Sequence, residues 1–121
     1  WGFAVRSAVR WSPAIFPRDD RPAEWEILIR LGAILAGTAA ADVDVAALDD
    51  VLFADRAARH GVVAADVMDV AGLRGPDRFA DLTIRTSPWG DGFGERPGGL
   101  TLESLRTEHP HGVDFGPMTN P

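Results

Sequence analysis

The sequence predicts a mainly α fold. It reads as a small helical bundle of four to five helices, with an extended, Pro-rich N-terminal segment and a long Gly-rich C-terminal loop. Three observations predict it. Apolar residues recur at helical spacing in separate blocks between residues 23 and 107. Capping residues punctuate those blocks, with Pro22, Asp42 or Asp44, and Thr101 ahead of them and Gly37 and Gly61 behind. Outside the blocks lie prolines and glycines that cannot continue a helix, and five glycines fall in the ten residues from Gly90 to Gly99. The chain thus divides into an extended docking segment (1–22), a helical domain (23–107) carrying the loop 87–99, and an extended C-terminal tail (108–121).

Taken in order, Trp11-Ser12-Pro13-Ala14-Ile15-Phe16-Pro17 is extended, because a residue before proline is pushed out of the helical region. Trp11, Ile15 and Phe16 have no helical period and are expected to dock on a neighbour. Pro22 opens the first helix, with Glu24 and Glu26 favoured by the dipole in its first turn and Gly37 as its C-terminal stop. Trp25, Leu28, Ile29 and Leu35 form one face of it and Ile27, Leu31 and Ile34 another. Being apolar on both sides, this helix is expected to be the most buried element. Glu26 and Arg30 are spaced as an i,i+4 pair.

Asp42 or Asp44 caps a second helix from about Val45 to His60, before Gly61. Its expected core stripe is Leu48, Val51 and Leu52, with Asp49, Asp50, Asp55 and Arg56 in water. A third helix spans roughly Val63–Ala71. Gly75-Pro76 starts a fourth, to about Arg85, that buries Phe79 and Leu82, and Thr101 caps a last short one from Leu102 to about Arg106.

Composition narrows the function. A chain of 121 residues fits one domain with a core of its own. A net charge of -6 leaves no basic stripe to neutralise phosphates, which argues against nucleic acid. The longest apolar run, Ile27 to Ala41, is interrupted by Arg30, Gly32 and Gly37, so a membrane span is not expected. Cysteine is absent, which removes disulfides, thiolate metal sites and thiol catalysis from this chain. The basic residues are all arginine, a composition that reads as the codon bias of a GC-rich bacterial genome. The chain opens on Trp1 without an initiator Met and stops in loop-like sequence, so it reads as a piece of something longer.

The catalytic inventory is thin, and no catalytic or metal residue is assigned. His109, His111 and Asp114 are the only His/carboxylate cluster, but a zinc site needs a further ligand and Pro110 stiffens the linker; a solvated turn is preferred. Gly90-Asp91-Gly92-Phe93-Gly94 lacks the strand, the G-x-G-x-x-G spacing and the immediate helix of a dinucleotide fingerprint, so a tight turn with positive-φ glycines is preferred. Asp49, Asp50 and Asp55 could pass for paired catalytic carboxylates, yet a solvated acidic helix face explains them more simply. His60 sits where a helix C-terminus attracts positive charge. Arg6 and Arg10 read as surface ion-pairing groups. The loop residues Trp89, Gly90, Asp91, Gly92, Phe93, Gly94 and Arg96 are the candidate rim of a larger protein's active-site channel, because loops this long are seldom mere connectors.

An ordered set of short matches carries a family resemblance. It comprises Phe3-Ala4-Val5-Arg6, Trp11-Ser12-Pro13 with Phe16, Glu24-Trp25-Glu26-Ile27-Leu28 with Arg30-Leu31, and Asp81-Leu82 with Arg85-Thr86. Gly90-Asp91-Gly92-Phe93-Gly94, Pro97 with Gly99-Leu100-Thr101-Leu102, and Pro110-His111-Gly112-Val113-Asp114-Phe115-Gly116-Pro117 complete it. In this order they resemble an internal segment of bacterial, actinobacterial-type molybdopterin-dependent oxidoreductases of the formate dehydrogenase/nitrate reductase kind. They cover most of the chain outside the helices between Gly37 and Pro76, and none is a catalytic signature.

The resemblance implies a cytoplasmic parent enzyme carrying molybdopterin guanine dinucleotide, molybdenum or tungsten and a [4Fe-4S] cluster. None of these is expected in this chain, since the cluster's cysteines and the ligand to molybdenum lie elsewhere. The implied partners are the remaining domains of the parent chain, with no nucleic acid and no membrane, and self-association through exposed aromatics is a further expectation. The alternative is a free-standing helical interaction module in which Trp1, Trp11 and Phe16 dock a protein.

Overall fold

The computed structural model describes residues 6–13, 15 and 19–117. In order it contains β1 (Arg6–Val9), α1 (Glu24–Leu35), α2 (Val45–Arg59), α3 (Ala64–Val67), α4 (Gly75–Thr86), α5 (Leu102–Thr107) and β2 (Val113–Pro117), with single 3-10 turns at Ala40–Asp42 and Val70–Gly72. The fold is mainly helical, as expected. The two extended segments add a small antiparallel ribbon, in which Arg6 faces Pro117 and Val9 faces Val113, with an irregularity between Arg6 and Ala8.

The helix ends follow local chemistry. Asp44 accepts the Ala47 N–H at 3.0 Å and starts α2. Thr101 and Ser104 close α5 reciprocally, each side chain accepting the other's backbone N–H at 3.0 Å. At α1 only one half of that pair exists, Glu26 accepting the Ala23 N–H, and the helix begins at Glu24, two residues after Pro22. The third segment is shorter than expected. It leaves the α geometry after Val67, where the Met68 carbonyl accepts from Arg78, and ends in the 3-10 turn whose last residue, Gly72, takes a positive φ.

The core lies between α2, α3 and α4. Phe53, Ala57, Val67 and Leu82 are buried together, with Phe79 packed edge-on to Phe53 at 5.9 Å. Leu102 and Leu105 of α5 are buried as well. The buried row of α2 is therefore Asp49, Phe53 and Ala57, one residue round from the expected Leu48, Val51 and Leu52. Leu48 is half-buried, and Val51 and Leu52 are exposed. Asp49 occupies the inner face because its charge is met there by Arg78, at 3.2 Å.

The expectation for α1 is overturned. It has no buried residue, and Ile27, Leu28, Leu31 and Leu35 are 53%, 59%, 49% and 80% exposed. It meets the rest of the domain along one side only, where Trp25, Ile29 and Ala33 are half-buried and Trp25 is seated against α4. The ring lies so close to Gly75 that a Cβ there would fall 2.5 Å from it, and Gly75 also needs its φ of +56°. One side of α1 faces α2 and α4, and the described residues supply nothing to cover the other.

Candidate functional site

Three features emerge: the bare face of α1, the glycine-rich loop, and a buried charge network behind α1's seat.

The face of α1 carries Ile27, Leu28, Leu31, Ile34 and Leu35, all exposed. Two grooves of about 500 and 540 Å³ run beside its N-terminal half. Asp19, Arg21, Pro22 and Ile27 line both of them. The cations here are engaged: Arg21 pairs with Asp19, donating Nε–H at 2.7 Å, and Arg30 donates to the Ala40 carbonyl at 3.2 Å. An aliphatic stripe this exposed is uncommon on a soluble domain unless something docks on it.

The loop 87–99 is locked by its own residues. Arg85, in the last turn of α4, clamps Asp91 with two hydrogen bonds of 2.7 Å, and its guanidinium lies 4.5 Å above the Phe93 ring. Arg96 reaches back to the C-terminal end of α4 and donates to the carbonyls of Arg85, Ser87 and Pro88 at 2.9–3.2 Å. One cation thereby gathers three carbonyls at and just past the end of α4, two of which also accept the Gly92 and Gly90 N–H groups, on the side where the helix dipole favours positive charge. Gly90 bridges to Leu100, and Phe93 takes a φ of +58°, held there by its N–H on Asp91. Trp89 stacks on Phe115 of β2 at 4.6 Å while staying 48% exposed. Burial pushes the Asp91 carboxyl up, but the Arg85 hydrogen bonds and the Phe93 N–H outweigh it and hold Asp91 below its ordinary value. Burial likewise opposes the Arg85 charge, and the hydrogen bonds and charges of Asp91 and Asp81 overcome it to raise Arg85.

These bonds decide what the loop can hold. The N–H groups of Gly90, Asp91, Gly92, Arg96, Gly99 and Leu100 donate to carbonyls of the same chain. Few amides remain to cradle a phosphate, and the two cations nearest the loop, Arg85 and Arg96, are committed. The loop does not fit the pyrophosphate of a molybdopterin dinucleotide, and no chemistry of that cofactor is assigned to these residues.

Behind α1's seat, Asp49 is fully buried and Arg78 nearly so. Asp49 accepts from Arg78 at 3.2 Å and from the Gly75 N–H at 3.3 Å, and Arg78 also donates to Asp50 at 2.7 Å. Arg78 lies 4.1 Å over the Phe53 ring. The Arg78 hydrogen bond, aided by Arg74, holds the Asp50 carboxyl below its usual range against partial desolvation. The solvated acidic face expected of Asp49 and Asp50 is therefore an ion-pair network that runs from buried Asp49 and Arg78 to half-exposed Asp50 and Arg74. Asp55 does lie at the surface, paired to Arg59 at 2.9 Å. Sequence reasoning puts Asp49 in water and does not single out Arg78, because the two meet across 29 residues and no local pattern links them.

The remaining candidates stay apart. His60 caps α2, and its Nδ1 lies 2.9 Å from the Thr86 hydroxyl. That hydroxyl donates to the Leu82 carbonyl at 2.8 Å, so it accepts from His60. Among the described residues no three His, Cys, Asp or Glu side chains are placed to hold a metal ion, and this includes His109, His111 and Asp114. Arg10 is exposed. Trp11 docks on its own chain, beneath the Arg106 guanidinium at 4.4 Å. Trp1 and Phe16 lie outside the described residues. No helix among the described residues is long and apolar enough to cross a membrane.

The chain matches no protein-family model, no curated protein and no solved structure.

Proposed function

We propose that this chain is a helical domain of a cytoplasmic molybdopterin-dependent oxidoreductase of the formate dehydrogenase/nitrate reductase kind. In this reading it is structural, docks on the remainder of that enzyme through α1, and is not catalytic alone. The single observation that supports docking is that the most apolar helix, α1, buries none of its residues. The resemblance of the ordered motifs supplies the parent class. Cofactor and cluster belong to other parts of the parent, in keeping with a loop whose amides are already engaged. The loop with Trp89, Asp91, Phe93 and Arg96 then borders the substrate path as a rigid rim, Arg85 and Arg96 setting its shape.

Elemental mass spectrometry and pterin fluorescence of the full-length gene product test this. Molybdenum or tungsten together with iron and a pterin is expected, and their absence overturns the parent class. Asp91→Ala and Arg96→Ala in that enzyme test the rim, and unchanged kinetics rule it out. The exposed α1 face also favours a second reading, a free-standing interaction module. That reading requires a reading frame closing near Trp1 and Pro121, whereas the first requires cysteines encoded upstream and a β-rich region downstream.

A further inference from the structure

Building on the reading of α1 as a docking face, we infer that its occupant is an amphipathic helix with an aliphatic stripe and a basic flank. It comes from a different segment or chain, not from a second copy of this one. The shape of the face argues for a helix. Ile27, Leu31 and Ile34 fall at the alternating four- and three-residue spacing of a helix-pairing seam, with Leu28 and Leu35 beside them. The area argues for a stable contact. The five side chains are 39–80% exposed. They present on the order of 500 Å² of apolar surface, over half of the ~800 Å² that each partner gives to a standard interface.

Charge selects the flank. Along the grooves beside Ile27 and Leu28 stand Asp19, Asp20 and Glu24. Glu26 lines one of the same grooves, and against these four carboxylates stand two guanidiniums, Arg21, paired with Asp19, and Arg30, which keeps its charge while donating to the Ala40 carbonyl. Carboxylates outnumber guanidiniums along the described rim, so it is acidic on balance. A basic flank complements that rim. A second α1 would bring the same acidic rim instead of a basic flank, which disfavours self-pairing.

The test is calorimetric titration of the full chain with two helical peptide probes of identical leucine spacing, one leucine–lysine and one leucine–glutamate. The leucine–lysine probe is expected to bind one to one, and the leucine–glutamate probe roughly tenfold more weakly or not at all. Leu31→Glu in the chain should weaken the first probe by roughly tenfold. Glu24→Lys should weaken it and reduce its salt dependence. Leu35→Ser, at the most exposed position of the stripe, repeats the apolar test should Leu31→Glu perturb folding. Failure of the leucine–lysine probe to bind overturns the inference. So does equal binding of both probes, or binding indifferent to Leu31 and Leu35. Dimerisation in sedimentation that Leu31→Glu abolishes would make a second copy the occupant, and capture by anionic vesicles sensitive to the same change would make it a lipid surface. Either overturns the inference too. Absence of molybdenum or tungsten from the full-length product would remove the oxidoreductase reading and leave this binding result standing.

Discussion

Arg85 and Asp91 meet in a two-point ion pair, Nε donating to Oδ1 and Nη2 to Oδ2, each at 2.7 Å. The Oδ1 atom also accepts the Phe93 N–H, so one carboxylate ties the last turn of α4 to the tip of the loop. The contact is geometric as well as electrostatic, because a guanidinium fork matches a carboxylate edge and a lysine would not.

The pair makes stability depend on pH in a stated direction. Asp91 titrates lower in the folded chain than in the unfolded one. Its contribution is therefore complete above the unfolded value, near pH 4, and is lost as pH falls through the folded value. Urea unfolding at stepped pH should show stability falling below about pH 4. Asp91→Asn should flatten part of that fall, the part due to Asp50 remaining, and should cost about 1–3 kcal/mol at neutral pH. An unchanged acid limb in Asp91→Asn would refute the assignment.

Gly90 is required by space and not by φ. A Cβ at this position would lie 2.1 Å from the Ile84 carbonyl oxygen and 2.4 Å from that of Arg85, both backbone atoms that cannot swing aside. Gly90→Ala should destabilise by about 2 kcal/mol or more. Gly94 has open space around it and a φ of +95°, so Gly94→Ala should cost only about 1 kcal/mol of backbone strain. Chemical denaturation of the two variants side by side checks the order, and equal losses would contradict it.

The Asp49–Arg78 pair should be costly to break and cheap to replace. Among the described residues Asp49 Oδ1 and Arg78 Nε find no hydrogen-bond partner, so the buried pair is incompletely compensated. Arg78→Met alone strands a buried carboxylate and should cost about 3–5 kcal/mol. Asp49→Leu with Arg78→Met should recover most of that loss, within about 1–2 kcal/mol of the parent chain. A double-mutant cycle measures the coupling, and a double variant as unstable as Arg78→Met would show that other contacts hold the site.

Polarity on α1 should be nearly free in the isolated chain. Leu28→Gln and Leu35→Gln should each change stability by no more than about 0.5 kcal/mol. Phe53→Ala, in the packed row of α2, should cost about 3–5 kcal/mol. Thermal unfolding distinguishes the cases. A loss of core size at Leu28 or Leu35 would mean that α1 is covered in solution.

Where the determining chemistry was local, the sequence was readable. Asp42 or Asp44, and Thr101, are legible as caps because a short oxygen-bearing side chain can reach its own helix's free N–H groups whatever the rest of the chain does, and the structure selects Asp44 and Thr101. The start of α4 at Gly75-Pro76 and the stop at Gly61 follow from backbone freedom in the same way. The loop's residues were singled out by density of glycine, although their bonding partners were not. Arg85 and Asp91 are close in sequence, but Arg96 returns to the end of α4 only because the loop doubles back through the Gly90–Leu100 bridge.

The sequence by itself determined a mainly helical chain, the approximate limits of its longer helices, and the extended character of the described segments Arg6–Val9 and Val113–Pro117. Tertiary structure decided which face of each helix is inside. Periodicity reports that α1 and α2 have apolar stripes, but burial is a relation between elements far apart in the chain. Asp49 turned inward because Arg78 and the Gly75 amide meet it there. The stripe of α1 stayed outward because only its Trp25 side finds a seat, and no pattern within twelve residues states whether another surface exists to cover them.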